Sequence, residues 1–288
     1  MIIAAASGKG GTGKTTIAVN LALSMDNAQL LDCDVEEPNA HLFIKPVVES
    51  REKSFVLVPR VDADKCVYCG NCAKNCAFGA VVVLPPSAPG KNGSVMIFDK
   101  LCHGCGACVI LCPQKAMAEE KRETGVIEEG RAGGLLYACG RLNIGEAMAP
   151  PLIKKVKEKI NRKKTVIIDC PPGTSCPMIA AVRGADYALL VTEPTPFGLN
   201  DLKLAVETAR KLSLKFGVII NRSAGNDSLI ENYCSRERID IIMKIPFSRK
   251  AAEICSKGGM LVREIPGYEG MFKSVLERVE KKRSCERK

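Results

Sequence analysis

Short, nearly continuous apolar runs recur along the chain at residues 2–6, 30–33, 135–139, 166–169, 187–192, 216–221 and 239–245. An unbroken run, rather than an alternating one, is what a strand buried on both faces requires. Helical periodicity fills most of the intervals, as in residues 16–25 after the first run. The pattern predicts an α/β fold: a parallel sheet with helices on both faces.

Between residues 55 and 122 the pattern changes to cysteine, glycine and proline with short β segments, and the α/β alternation resumes afterwards. The expected organisation is therefore a discontinuous main domain, residues 1–54 and 123–288, interrupted by a small inserted domain at 55–122. Within the insertion a Pro/Gly/Ser loop, residues 85–94, separates two cysteine runs of the same form, which makes the insertion an internal twofold repeat.

With 288 residues, 46% of them apolar, the chain can build one large core plus a small module. Fifteen cysteines would mean disulfides in a short secreted protein. Here the first residues read as a strand, with no basic leader or cleavage pattern. No stretch approaches the roughly 18 uncharged apolar residues of a membrane span. A soluble protein of the reducing cytoplasm is the expectation, with no membrane partner.

The formal charge is +10, which alone suggests an anionic partner. If eight of the cysteines hold two 4Fe-4S clusters, thiolates and cluster cores together bring the net charge to about +6. A solvated basic surface accounts for that, and no nucleic-acid partner is expected.

Gly8, Lys9, Gly10, Gly11, Thr12, Gly13, Lys14 and Thr15 follow the first predicted strand and open a predicted helix at Thr16. This is the setting of a phosphate-binding loop, in which backbone N–H groups and a helix N-terminus cradle phosphate oxygens. Lys14 is expected to reach the β- and γ-phosphates of ATP and Thr15 to ligate Mg2+.

Lys9 ahead of the glycine pair gives the loop the deviant form that resembles the MinD, ParA, Mrp and nitrogenase iron protein family. The resemblance implies an ATP-sandwich homodimer in which Lys9 crosses to the partner's nucleotide. Asp32-Cys33-Asp34 looks like that family's switch I, with Asp34 positioning the attacking water. Residues 166–174, ending Asp169-Cys170-Pro171-Pro172-Gly173-Thr174, look like Walker B and switch II, with Asp169 holding Mg2+ through water. Asn221-Arg222 is similar to the segment that contacts adenine, and Ile245-Pro246-Phe247 to the turn after it. Along essentially its whole length the chain resembles MinD-type P-loop ATPases with an inserted ferredoxin domain.

The strongest chemical signal is the pair of runs Cys66-x-x-Cys69-x-x-Cys72-x-x-x-Cys76 and Cys102-x-x-Cys105-x-x-Cys108-x-x-x-Cys112-Pro113. Three thiolates at this spacing can wrap three irons of a cubane, while the fourth points to the other cluster. One 4Fe-4S cluster would take Cys66, Cys69, Cys72 and Cys112, the other Cys102, Cys105, Cys108 and Cys76. Zinc is the competing reading, but a four-thiolate zinc site needs neither the third cysteine nor the doubled run. Ala77 stands where the second run has a proline, and His103 reads as an exposed loop residue.

Outside the insertion, Cys33, Cys170, Cys234 and Cys255 read as small buried hydrophobes and Cys285 as a tail residue. Cys139 and Cys176 occupy positions similar to the nitrogenase iron protein's cluster cysteines, and so raise a third, intersubunit cluster. Near the end, Met271, Phe272, Val275, Leu276 and Val279 form a helical stripe. It reads as a helix closing the core, against a membrane-binding alternative.

The expected function is Mg2+-dependent ATP hydrolysis that couples a dimer switch to electron transfer through two clusters, to or from an unidentified redox or metallocofactor protein. The alternatives are an iron-sulfur or metallocofactor assembly carrier and, further off, a MinD/ParA-like positioning ATPase.

Overall fold

The structure is a computed structural model that describes residues 1–88 and 93–285, with side chains as far as Lys282. Residues 89–92 of the expected Pro/Gly loop and the side chain of Cys285 lie outside the described residues.

In chain order the elements are β1 (Ile2–Ala6), α1 (Lys14–Leu23), β2 (Ala28–Asp32), α2 (Ala40–Ile44), β3 (Val47–Val61), α3 (Asn71–Lys74), β4 (Val81–Leu84) and β5 (Ser94–Ile97). There follow α4 (Ala107–Ile110), β6 (Met117–Ala132), β7 (Leu135–Leu142), α5 (Ala149–Glu158), β8 (Thr165–Asp169), α6 (Cys176–Val182) and β9 (Tyr187–Thr192). The last are α7 (Pro196–Lys211), β10 (Phe216–Ser223), α8 (Ser228–Arg236), β11 (Ile241–Pro246), α9 (Arg249–Ser256), α10 (Leu261–Glu264) and α11 (Tyr268–Cys285). The main sheet has the order β11-β10-β9-β1-β8-β2-β7-β6-β3, and β4 and β5 form a separate pair.

The chain divides into two compact units: Met1–Glu52, Ile127–Arg141 and Leu152–Lys288 form the first, Lys53–Val126 and Leu142–Pro151 the second. The boundaries depart from those expected. Residues 142–151, assigned from sequence to the main domain, go with the second unit, where Glu146 is paired with Arg122 and the Asn143 N–H donates to the Thr124 carbonyl at 3.0 Å.

In the first unit the parallel core is the one the apolar runs predict. β1 lies between β8 and β9, with Ala5 beside both Asp169 and Leu189. Ile3, Ala5, Leu30, Ile167, Leu189 and Ile219 share one buried cluster with Ile17 of α1 and Phe272, Val275 and Val279 of α11. Their strand neighbours Ala4, Leu31, Ile168, Leu190 and Ile220 are as fully buried outside that cluster, so helices cover both faces.

The α11 stripe is thus spent on the core. Removing the Phe272 ring would cost about 3–5 kcal/mol. Among the described residues no helix is long and apolar enough to cross a membrane.

The sheet is not parallel throughout. β6 and β7 are joined by Gly133-Gly134 with a positive φ of 63° at Gly133, a connection that only an antiparallel hairpin permits. In the second unit the ends of β3 and β6 pair in opposite senses: Asp62 donates to the Ala116 carbonyl at 2.8 Å, and the Thr124 hydroxyl to the Ser54 carbonyl at 3.3 Å.

That unit repeats itself at an offset of 36 residues, from Cys66 to Cys102. Positive φ recurs at Tyr68 and Gly104, at Gly70 and Gly106, and at Gly79 and Lys115. The one-turn helices α3 and α4 start one residue after Gly70 and Gly106.

Candidate functional site

The phosphate loop runs from the C-terminal end of β1 to the first turn of α1, where a doubly wound sheet places its ligands. Gly8 is required sterically, since a Cβ there would fall 2.2 Å from the Asp201 carbonyl oxygen; at Gly10 and Gly11 a Cβ would meet nothing within 4 Å. The loop backbone therefore lies open at Gly10 and Gly11, where phosphate would approach. Lys14 is buried and Lys9 half-buried.

Beside the loop lie two carboxylates in register, Asp32 on β2 and Asp169 on β8. Both are fully buried. Asp32 accepts N–H groups from Asp34, Asn39 and Ala40 at 3.1, 3.0 and 3.0 Å, and so ties down the 32–40 loop and the start of α2. Neither oxygen of Asp169 is in a well-formed hydrogen bond, although Lys14 and the Thr15 hydroxyl stand beside it.

Burial pushes the Asp169 carboxyl up, opposed by the Lys14 charge and the Thr15 hydroxyl alongside. Asp32 is raised by burial and by the charge of Asp169. Asp34 lies in the loop just past the end of β2, not on the strand. Burial pushes it up to about 6, against the pull of Lys14.

At the far end of the loop, Gly13, Thr16, Asn221 and Arg222 line one side of a cavity whose other side is Pro246, Phe247 and Cys255. Asn221 Nδ2 donates to the Thr12 carbonyl at 2.8 Å, and Asn221 Oδ1 accepts the Arg222 N–H at 3.0 Å. The Arg222 guanidinium pairs with Glu193 at 2.8 Å. Asn221 thus braces the phosphate loop, and Nδ2 keeps a second proton for a ligand. Cys255, expected to be a buried hydrophobe, is half-buried in this cavity wall.

Lys157 of α5 reaches the end of α6. Its ammonium donates to the carbonyls of Ala180, Ala181 and Arg183 at 2.9, 2.7 and 2.5 Å, closing the C-terminal end of α6. A lysine in a predicted amphipathic helix gives no signal of such a contact.

In the second unit the eight motif cysteines surround two cavities. Cys66, Cys69, Cys72 and Cys112 line one, with Val61, Val83 and Met117 in its wall. Cys76, Cys102, Cys105 and Cys108 line the other, with Leu57, Pro59 and Val81. Each therefore gathers three thiols of one run and the fourth of the other. The two are alike in size, each with about 20 Å³ of free cavity volume.

The fourth cysteine of each run is held alike, with the Ala80 N–H on Cys76 Sγ at 3.3 Å and the Ala116 N–H on Cys112 Sγ at 3.2 Å. Burial pushes the equivalent thiols of Cys72 and Cys108 up. The thiols stand around the walls: among the described residues no three His, Cys, Asp or Glu side chains converge as ligands of one metal ion would.

One feature breaks the twofold symmetry. Phe78 and His103 stack at the second cavity, ring centroids 3.6 Å apart and planes 9° from parallel. Gln114 and Val67 stand at the equivalent positions of the first.

Of the remaining cysteines, Cys33, Cys170 and Cys234 are core residues. Cys139 is 1% exposed, with its thiol 3.8 Å from a Glu128 carboxylate oxygen, while Cys176 is exposed at the start of α6. A ligand shared between subunits must reach the surface, and Cys139 does not.

Known proteins resemble the chain along most of its length. It is 31% identical over 266 residues to an uncharacterized protein of Methanocaldococcus jannaschii, covering 90% of each chain. It is 24% identical over 298 residues to the iron-sulfur cluster carrier protein of Pyrococcus abyssi, covering 97% of this chain and 84% of that one. Its fold is similar to that of the septum site-determining protein MinD of Pyrococcus horikoshii, solved with Mg-ADP, with a TM-score of 0.59 at 19% identity over 97% and 96% of the two chains. The family of CobQ/CobB/MinD/ParA nucleotide binding domains matches residues 3–262, and with the open phosphate loop and its buried Asp169 in place, the chain belongs to that family.

Proposed function

We propose that this protein is a Mg2+-dependent ATPase that works as a nucleotide-sandwich homodimer and couples its nucleotide state to electron transfer through two 4Fe-4S clusters. The observation that carries the reading is the crossing of the cysteine sets, three thiols of one run with the fourth of the other at each cavity. A zinc ion draws its thiolates to about 2.3 Å. Thiols around a cavity wall, with backbone N–H groups on Cys76 and Cys112, fit a cubane better.

The donor set at the phosphate loop fits Mg2+ in the same way. A buried carboxylate with two unpartnered oxygens beside a threonine hydroxyl offers the hard oxygen ligands that ion takes. Mg2+ would neutralise charge on the β- and γ-phosphates, and the clusters would supply one-electron transfer. The chain's own residues do the rest. Gly10, Gly11, Thr12 and Gly13 hold phosphate oxygens with backbone N–H groups, together with Thr16 at the helix start, and Lys14 binds the transferring phosphate. Asp34 accepts a proton from water. Lys9 reaches the partner's nucleotide. ATP favours the closed dimer only through contacts that the open state lacks, and Lys9 and Asp34 supply them.

A carrier role is the second reading. It is favoured by the name of the Pyrococcus relative and by the exposure of Cys69 and Cys105. Radiolabelled iron passing to an apo-acceptor during turnover would support it; clusters retained through repeated turnover support the wire. A positioning ATPase would give the thiol cavities no task.

The test is ATPase activity of anaerobically purified protein with its clusters reduced and then oxidised. Coupling predicts different rates. Equal rates, in protein carrying close to its full iron, would contradict it.

A further inference from the structure

We propose that a groove between α2, α9 and α10, apart from the nucleotide site, docks an acidic peptide segment of a partner protein and reports its occupancy to the 32–40 loop. The groove is open to solvent and holds about 660 Å³ in the first unit. Four cations line it: Lys45, Lys250, Lys257 and Arg263. All four are exposed, and among the described residues none of them is in an ion pair.

The lining selects among anions. Its floor is apolar, with Phe43, Ile254 and Met260 half-buried. Two carboxylates, Glu253 and Glu264, stand among the cations. A nucleic-acid strand carries a phosphate at every step and would be repelled by them, and an anionic lipid surface is flat. A peptide can place acidic side chains on the lysines and an apolar one on the floor, and so satisfies all three features.

Two elements of the groove also belong to the nucleotide site. α9 presents Lys250, Glu253 and Ile254 to the groove, joined by Lys257 just past its end, while Ala251, Ala252 and Cys255 face the cavity beside Asn221. α2 begins on the Asp32 carboxylate, through the N–H of Ala40, and is capped at its other end by Lys45 in the groove. The two helices meet closely: a Cβ on Gly258, where φ is +71°, would fall 2.9 Å from the Leu42 carbonyl oxygen. A peptide bridging Lys45 and Lys257 would fix α2 against α9, and with it the loop that carries Asp34. The inference is independent of whether the clusters are wires or cargo.

The test uses the full chain in its cluster-loaded form and a fluorescein-labelled peptide of alternating glutamate and leucine. Anisotropy is expected to show saturable binding with a Kd of about 100 µM or tighter at low salt, weakening as salt rises. The peptide should change the ATPase rate at least about twofold, a shift in free energy that a few contacts suffice to supply. The double charge reversal Lys250→Glu/Lys257→Glu should weaken binding by about tenfold or more and abolish the ATPase response, with basal ATPase and thermal midpoint unchanged. Equal binding by the reversed variant would overturn the proposal. So would absence of saturable binding, preference for a labelled single-stranded oligonucleotide or anionic phosphatidylserine vesicles, or peptide binding that leaves the ATPase rate untouched.

Discussion

Asp32 and Asp169 stand opposite each other on β2 and β8, both fully buried, yet only Asp32 is supplied with hydrogen-bond donors. The difference separates a structural carboxylate from one kept for a ligand. Asp32 organises the 32–40 loop; Asp169 is left with two oxygens that the protein itself does not satisfy. Lys14 offsets only part of the cost of burying this carboxylate, whose proton affinity is still raised, so it destabilises the nucleotide-free fold. Asp169→Asn should therefore raise the apo protein's stability by about 1–3 kcal/mol and remove the thermal shift given by Mg-ATP. Asp32→Ala should lower stability by about 1–3 kcal/mol, since three backbone N–H groups lose their partner. Urea titrations of the two variants, with and without Mg-ATP, check both signs.

Asp34 makes a pH-dependent contribution of the same kind. Its folded-state value is about 6 against a reference of 3.8, so the folded chain holds this proton more tightly than the unfolded one. The resulting stabilisation is full below about pH 4 and is lost as pH rises through 6. After allowance for its partial exposure the loss is about 1–2 kcal/mol. In nucleotide-free protein, Asp34→Asn should be about that much more stable than wild type near pH 8 and should show little advantage near pH 4. ATPase activity should be lost at both.

Gly8 and Gly10 separate fold from function within one loop. A methyl group on Gly8 would collide with the Asp201 carbonyl, whereas at Gly10 it meets nothing. Gly8→Ala should cost about 1–3 kcal/mol, lowering the thermal midpoint. Gly10→Ala should leave that midpoint within about 1 °C and still weaken ATP binding, because the added methyl enters the space a phosphate would fill. Calorimetry of unfolding and of ATP binding distinguishes the two.

The crossed cysteine sets make a spectroscopic prediction. Cys72→Ala and Cys112→Ala, forty residues apart in sequence, should remove the same cluster signal from the reduced protein's EPR spectrum; Cys76→Ala and Cys108→Ala should remove the other. Each variant should retain roughly four of eight irons. Loss of one signal by Cys72→Ala and the other by Cys112→Ala would contradict the crossing.

Much of this site is legible in the amino-acid sequence because its chemistry is local. The phosphate loop is one contiguous segment between a strand and a helix, and the cysteine spacing carries its own geometry. The central strands announce themselves because both faces are buried, which forces continuous apolar runs. β3 does not, since residues 47–53 are all exposed and include Glu49, Arg51, Glu52 and Lys53. An exposed strand has no hydrophobic period to read. The return of residues 142–151 to the second unit depends on the Arg122–Glu146 pair, a long-range contact with no sequence signature. The groove was equally hidden, since Lys45 and Lys257 come from segments distant in the chain and meet only through the close approach at Gly258. The role of Asp34 rested on resemblance, and that of Asp32 as the loop's anchor became visible only through its hydrogen bonds.

The coupling of nucleotide to clusters is tested most directly by anaerobic redox titration of both clusters in nucleotide-free, ADP-bound and ATP-analogue-bound protein, followed by EPR. The account predicts that the analogue moves at least one midpoint potential by about 30 mV or more, a change of about threefold in a one-electron equilibrium. Identical potentials and spectra in all three states, in protein shown to bind the analogue, would contradict it.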